Sequence, residues 1–167
     1  KREIPNQFYS KWNSPSPNIN SLETAIVYPG TCLIEGTNIS EGRGTRSPFL
    51  QIGAPFFNSE DIIEKLDLLK VEGAEIQPVT FIPEDIENMA TNPKFEGKTC
   101  YGIKIKITDP DKFESVKLGV KLLFVLTKLY GNKIKFNDSS FDRLAGSDML
   151  RQHLKNQMLP DKIFAAW

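Results

Sequence analysis

The chain has 167 residues, 40% apolar and 25% charged, with 21 basic residues balanced by 21 acidic ones. Zero formal charge without a block of like sign speaks against a nucleic-acid groove or an anionic-membrane patch. The longest apolar run, Leu122–Leu126 beside Lys121 and Lys128, is far short of the roughly 20 residues that span a bilayer.

Residues 1–20 read as an extended arm: Pro5, Pro15 and Pro17 stand among Asn and Ser, a composition that makes connectors rather than packed elements. Phe8, Tyr9 and Trp12 are its candidate anchors, and Lys1–Ser10 contain no apolar signal-peptide core. Asn20 or Ser21 is placed to cap a first helix through Tyr28, with Pro29-Gly30 interrupting it and Thr31–Glu35 resuming. Gly36–Ser47, with three glycines and almost no apolar residue, predicts a loop, and Phe49–Ile52 a short strand.

Asn58 and Asp61 precede an amphipathic run carrying Ile62, Ile63, Leu66 and Leu69, which predicts a helix ended by Gly73. Ala74–Ile82 is strand-like, but Ile76 and Phe81 are out of phase for one face. A bulge near Pro78, on an edge or irregular strand, is therefore expected. Tyr101–Thr108 alternates cleanly, with Ile103, Ile105 and Ile107 on one face and Lys104 and Lys106 on the other.

Asp109-Pro110 predicts an N-cap and first helical position for a helix reaching about Tyr130, apolar nearly all round from Leu118 to Leu129 and ended by Gly131. Ile134–Phe136 is a candidate last strand; helices should follow from Ser147 and from Pro160 or Asp161. The sum is an α+β fold: a two-layer domain with a small mixed sheet packed against helices, over residues 21–167.

Cys32 and Cys100, far apart and outside any CxxC pattern, are read as two small apolar thiols, with one disulfide as the alternative. His153, the single histidine, lies on a polar helical stretch without partner motifs and reads as a surface residue. Neither a metal nor a cofactor is expected: metal-ligand spacing, GxxxxGK[ST] and GxGxxG are all missing from the sequence.

Chemistry concentrates in Glu35–Thr45. Two carboxylates, Glu35 and Glu41, stand with the Asn38 amide, the hydroxyls of Ser40 and Thr45 and the Arg43 guanidinium between glycines that let backbone approach a ligand. Carboxylates and amides bracket sugar hydroxyls, and arginine grips a carboxylate with two prongs. A solvated, turn-rich loop would use the same residue types. Glycoside hydrolysis asks for two carboxyl groups flanking the scissile bond, and Glu35 and Glu41 would form such a pair only if the loop folds back.

The run Tyr28–Thr45, YPGTCLIEGTNISEGRGT, resembles the signature of the NamZ-like exo-β-N-acetylmuramidases, glycosidases of peptidoglycan recycling. Ser14–Ile19, Gly53–Pro55, Thr91–Pro93, Cys100–Gly102, Leu144–Asp148 and Ala165–Trp167 match in order, so the likeness covers nearly the whole chain. It implies a preceding Rossmann-like domain that carries the main catalytic acid, a site in the cleft between the two parts, and a short further C-terminal tail. Glu35, Asn38, Glu41, Arg43 and Thr45 would then line that cleft, with peptidoglycan-derived muramic-acid glycans and the N-terminal domain as partners. Export to the periplasm or cell envelope is also implied. The alternative expectation is a non-catalytic glycan-binding or interaction domain.

Overall fold

In the computed structural model, residues 12–166 are described; Phe8 and Tyr9 lie outside them. The elements are α1 (Leu22–Thr31), β1 (Gln51–Ala54), α2 (Ser59–Leu68), β2 (Ala74–Phe81), β3 (Cys100–Ile107), α3 (Ser115–Tyr130), α4 (Asp138–Ala145), α5 (Met149–Lys155) and α6 (Pro160–Ala166). Short 3-10 turns cover Cys32–Gly36 and Gly131–Lys133. The expected two-layer α+β architecture is present, and both pairings of its small sheet, in the order β1-β3-β2, are antiparallel rather than mixed.

The first helix does not stop at Pro29-Gly30. Ser21 accepts a hydrogen bond from the Thr24 N–H (3.0 Å) at its start, and the helix runs on to Thr31 with Pro29 inside it. Proline's fixed φ is helical, and in the last turn its missing N–H removes only one bond. Gly30 is there for proximity. A Cβ on it would lie 1.9 Å from the Ser115 carbonyl oxygen, and a Cβ on Gly119 would lie 2.4 Å from that of Gly30. Helices α1 and α3 thus touch backbone to backbone. Ser115 seals the crossing by accepting from the Gly30 N–H (2.8 Å) and donating to the Val27 carbonyl.

Helix α3 begins at Ser115 rather than Pro110. Asp109 caps a tight turn instead, its carboxylate accepting from the Asp111 N–H (3.1 Å) and its carbonyl from the Phe113 N–H (3.1 Å). That turn lays Phe113 against the core before the helix starts. From Leu118 to Thr127 nearly every residue is buried, with Leu122, Leu123 and Leu126 fully so, and the helix packs against α1, α2, α5 and α6.

Helix α2 lies on β2 and β3, pressing Ile62 and Leu66 into the core that Ile103 and Ile105 share. Asn58 caps it by accepting from the N–H groups of Glu60 and Asp61. It ends at Leu68, with Lys70 already in the left-handed region, so Gly73 lies in the bend before the next strand instead of closing the helix.

The β2–β3 ladder is unbroken from Ala74↔Ile107 to Phe81↔Cys100, and no bulge occurs at Pro78. Ile76 and Phe81 face opposite sides because each has its own partner. Ile76 lies opposite Ile105 over the core, whereas Phe81 is buried on the other face across Gly53, where a Cβ would meet its ring at 2.8 Å. Residues Ile134–Phe136 form no strand, only an isolated bridge from Phe136 to Thr37. Helix α4 has a weak signal: Asn137 caps it, and Phe141 is its one fully buried apolar side chain.

Both cysteines are free, Cys32 half-buried and Cys100 buried. Burial pushes the Cys100 thiol up to about 11. Among the described residues no helix is long and apolar enough to cross a membrane.

Candidate functional site

Beyond the 3-10 turn the chain runs along the outer edge of β1, where Ser40 and Gly53 exchange two backbone hydrogen bonds of 3.0 Å each. It then folds back through Gly42 and Gly44, at φ of 79° and 78°. These glycines are required twice over, by the left-handed backbone and by space. A Cβ at Gly42 would lie 2.6 Å from the Gln51 carbonyl oxygen, and one at Gly44 would lie 2.5 Å from that of Glu84. The fold-back closes at Phe49, whose N–H donates to the Glu41 carbonyl (2.6 Å). Phe49 sits at φ 64°, which keeps it out of the strand predicted from residue 49, and β1 starts at Gln51.

This fold-back puts Glu35 and Glu41 on one arginine. Arg43 donates through Nη2 to the Glu35 carboxylate at 2.8 Å, and its Nε faces Glu41 Oε1 at 3.6 Å, too far for a hydrogen bond. The guanidinium lies over the Phe49 ring, 5.5 Å from its centroid, and Tyr28 meets Phe49 edge-on at 4.9 Å. Glu41 is the buried member, with 6% of its side chain exposed, against 24% for Glu35 and 38% for Arg43. Burial holds the Glu35 carboxyl above its ordinary range; Arg43 opposes the shift and Glu41 adds to it.

The fourth charge comes from a distance. Lys94 donates to Glu41 Oε2 at 2.9 Å and to the carbonyls of Ile34, Glu35 and Ile39 at 3.1, 3.1 and 3.0 Å. Its ammonium neutralises the buried carboxylate and also binds the Glu35 carbonyl of the 3-10 turn, the Ile34 carbonyl that Thr37 shares, and the Ile39 carbonyl beyond the turn. The motif chemistry of residues 35–45 gives no hint of it. The signal available was the Thr91–Pro93 piece immediately before it, which presses Pro93 against Gly44.

Asn38 and Thr45 shape the loop. The Asn38 amide donates to the Lys133 carbonyl (2.9 Å) and accepts from the Lys135 N–H (2.8 Å), tying the loop to the chain before α4. The Thr45 hydroxyl donates to the Gly42 carbonyl (2.6 Å) and accepts from the Ser47 N–H (3.1 Å). Glu35 and Arg43 keep part of their side chains open to solvent, 24% and 38% exposed. Together they offer a carboxyl with raised proton affinity beside a cationic two-pronged donor.

With Arg43 38% exposed, the site opens at the surface of the described residues. A cleft of about 290 Å³ between Lys70, Glu72, Lys117 and Phe164 and a groove of about 500 Å³ between Phe57, Glu60, Val79 and Tyr101 both lie elsewhere. His153 lines a small apolar crevice with Met149, Leu150 and Ile163. Among the described residues no group of three His, Cys, Asp or Glu side chains is placed to hold a metal ion.

These features define an α+β domain that displays a carboxylate–arginine pair on a glycine-hinged loop. Residues 26–167 match the model of the family described as exo-beta-N-acetylmuramidase NamZ, C-terminal, and the chain belongs to that family. It is 43% identical over 143 residues to the peptidoglycan beta-N-acetylmuramidase NamZ of Bacillus subtilis (strain 168). That match covers 85% of this chain and 33% of the relative, so the chain spans about a third of that protein's length. Two crystal structures of DUF1343 family proteins from Bacteroides fragilis NCTC 9343 share the fold. One has a TM-score of 0.82 at 20% identity, covering 94% of this chain and 41% of its own. The other has a TM-score of 0.64 at 24% identity, covering 92% and 38%.

Proposed function

We propose that this chain supplies one wall of the sugar site in a peptidoglycan hydrolase that removes terminal β-linked N-acetylmuramic acid, with Glu35 and Arg43 facing the sugar. Membership of the family and the 43% identical Bacillus subtilis relative support the reaction class. A preceding domain would supply the opposite wall and the main catalytic acid; the relative is about three times as long as the matched region. Export to the cell envelope and a part in wall recycling belong to the same proposal.

The observation that carries the residue assignment is the exposed side of the ion pair: Arg43, 38% exposed, on Glu35 at 2.8 Å. N-acetylmuramic acid differs from N-acetylglucosamine by a lactyl ether that ends in a carboxylate. Discriminating the two needs a cation, and a guanidinium matches a carboxylate in shape as well as charge. Glu35 keeps Arg43 oriented until that carboxylate arrives. Its raised proton affinity means that ceding the guanidinium can be accompanied by taking up a proton.

The test is steady-state kinetics of the full-length protein on a chromogenic β-N-acetylmuramide and the matching β-N-acetylglucosaminide. Arg43→Ala should cost about 2–4 kcal/mol in kcat/KM on the first, the scale for losing one partner of a buried charge pair. The second should barely change. Equal losses on both substrates would assign Arg43 to loop architecture and refute the specificity role.

A further inference from the structure

We propose that Lys94 is a positioning residue for substrate selection: by holding Glu41, it keeps the Arg43 guanidinium free to meet the substrate's carboxylate. The proposal rests on the recognition role given to Arg43 above.

The charges at this site make two pairs. Glu41 and Glu35 carry two negative charges, Lys94 and Arg43 two positive ones, and the pairs differ in depth. Glu41 is the buried acid, and a buried carboxylate must have a cation and hydrogen bonds. Lys94 provides both at 2.9 Å. Its own place is fixed by three backbone carbonyls at 3.0–3.1 Å, so four acceptors surround three ammonium protons. A compact point charge suits that shell, which a planar guanidinium would not fit.

Arg43 is held differently. Its Nε is buried and lacks a hydrogen-bond partner among the described residues, although Glu41 Oε1 is only 3.6 Å away. The remaining gap is small, and Lys94 holds the other oxygen of that carboxylate. Without Lys94, Glu41 would be buried with Arg43 as the one cation within reach among the described residues. Arg43 would close onto it, leaving both Glu35 and the surface. Lys94 thus acts on the substrate through Glu41 and Arg43 and touches no sugar itself.

Two roles of Lys94 are separable. As a tether it binds the turn's carbonyls, and that role disappears with the amine whatever happens to Glu41. As a charge partner it matters only while Glu41 is ionised. A variant that removes both charges, Lys94→Met with Glu41→Gln, loses the tether but relieves Arg43 of its competitor.

The experiment uses the full-length protein and three chromogenic substrates: the β-N-acetylmuramide, its neutral lactyl-amide analogue, and the β-N-acetylglucosaminide. Lys94→Met should raise KM for the muramide about tenfold or more while changing kcat by less than about threefold, the pattern of lost binding. KM for the two neutral substrates should hold. The double variant should return KM for the muramide to within about threefold of the parent value. Equal losses on charged and neutral substrates, or a double variant no better than Lys94→Met, would overturn the proposal and leave Lys94 as a tether. If Lys94→Met does not fold, the double variant decides. A folded, selective double variant supports the proposal, and one that is unfolded or unselective overturns it. Selectivity that survives Arg43→Ala would instead sink the underlying reading, so the two failures are distinguishable.

Discussion

Gly30→Ala tests the frame on which the site stands. The new methyl carbon would lie 1.9 Å from the Ser115 carbonyl oxygen and 2.5 Å from its carbon, both backbone atoms that cannot rotate aside. Reaching an ordinary contact of 3.4 Å means separating α1 from α3 by about 1.5 Å. Overpacking of this kind costs about 1–3 kcal/mol. Separation also stretches the Gly30 N–H···Ser115 hydrogen bond, whose loss in a buried place adds about 1–2 kcal/mol. Alanine's better helix propensity returns up to about 1 kcal/mol. The net expectation is a loss of about 3 kcal/mol, or roughly 6–12 °C in Tm for a chain of this size. Urea denaturation followed by circular dichroism gives the number directly. Gly119→Ala meets the same crossing from the other side, so the double variant should lose clearly less than the sum of the two. A Gly30→Ala protein within about 0.5 kcal/mol of the parent would refute the backbone contact.

Two further outcomes follow from other residues. Burial raises the Glu35 carboxyl above its ordinary 4.5, so the folded chain binds that proton more readily than the unfolded one. The stability it contributes is full below pH 4.5 and is lost as pH rises through the folded value, so Tm of Glu35→Gln relative to the parent should climb from pH 4 to 7; a relative fall would mean that the Arg43 pair outweighs burial. The free thiols give the third: with Cys100 fully buried and its thiol raised to about 11, Ellman's reagent at pH 8 should leave it unreacted in the native chain, while both cysteines react in denaturant. A missing thiol in denaturant would reveal a disulfide.

Sequence legibility followed the range of the forces involved. Helix α2 and strand β3 were readable because period and cap are local: Asn58 bonds residues two and three ahead, and Ile103 and Ile105 alternate with lysines toward one core. Pro29-Gly30 misled because its meaning lies across space, in Ser115 and Gly119. Phe81 looked out of phase because a second face, over Gly53, claimed it. At the site, the carboxylates and Arg43 could be named from residue types, and the family likeness gave them a use. Asn38 and Thr45 have the same polar chemistry, but the structure commits their side chains to backbone partners. Lys94 could not be inferred from chemistry alone, since the carboxylate it holds is 53 positions away.

That separation also sets when the loop takes shape. Lys94 closes chain segments of 53 to 60 residues, and Asn38 closes one of 95 to Lys133. Because closure entropy grows only as the logarithm of length, the longer closure costs only about 0.5 kcal/mol more than the shorter. Timing is less forgiving. At roughly 5–20 residues added per second, Arg43 leaves the ribosome about 2.5–10 s before Lys94 does. Lys133, the partner of Asn38, follows about 2–8 s later. Through that interval the two glutamates and the arginine stand in solvent on an unanchored loop, and only the arrival of a lysine from beyond β2 draws Glu41 inward.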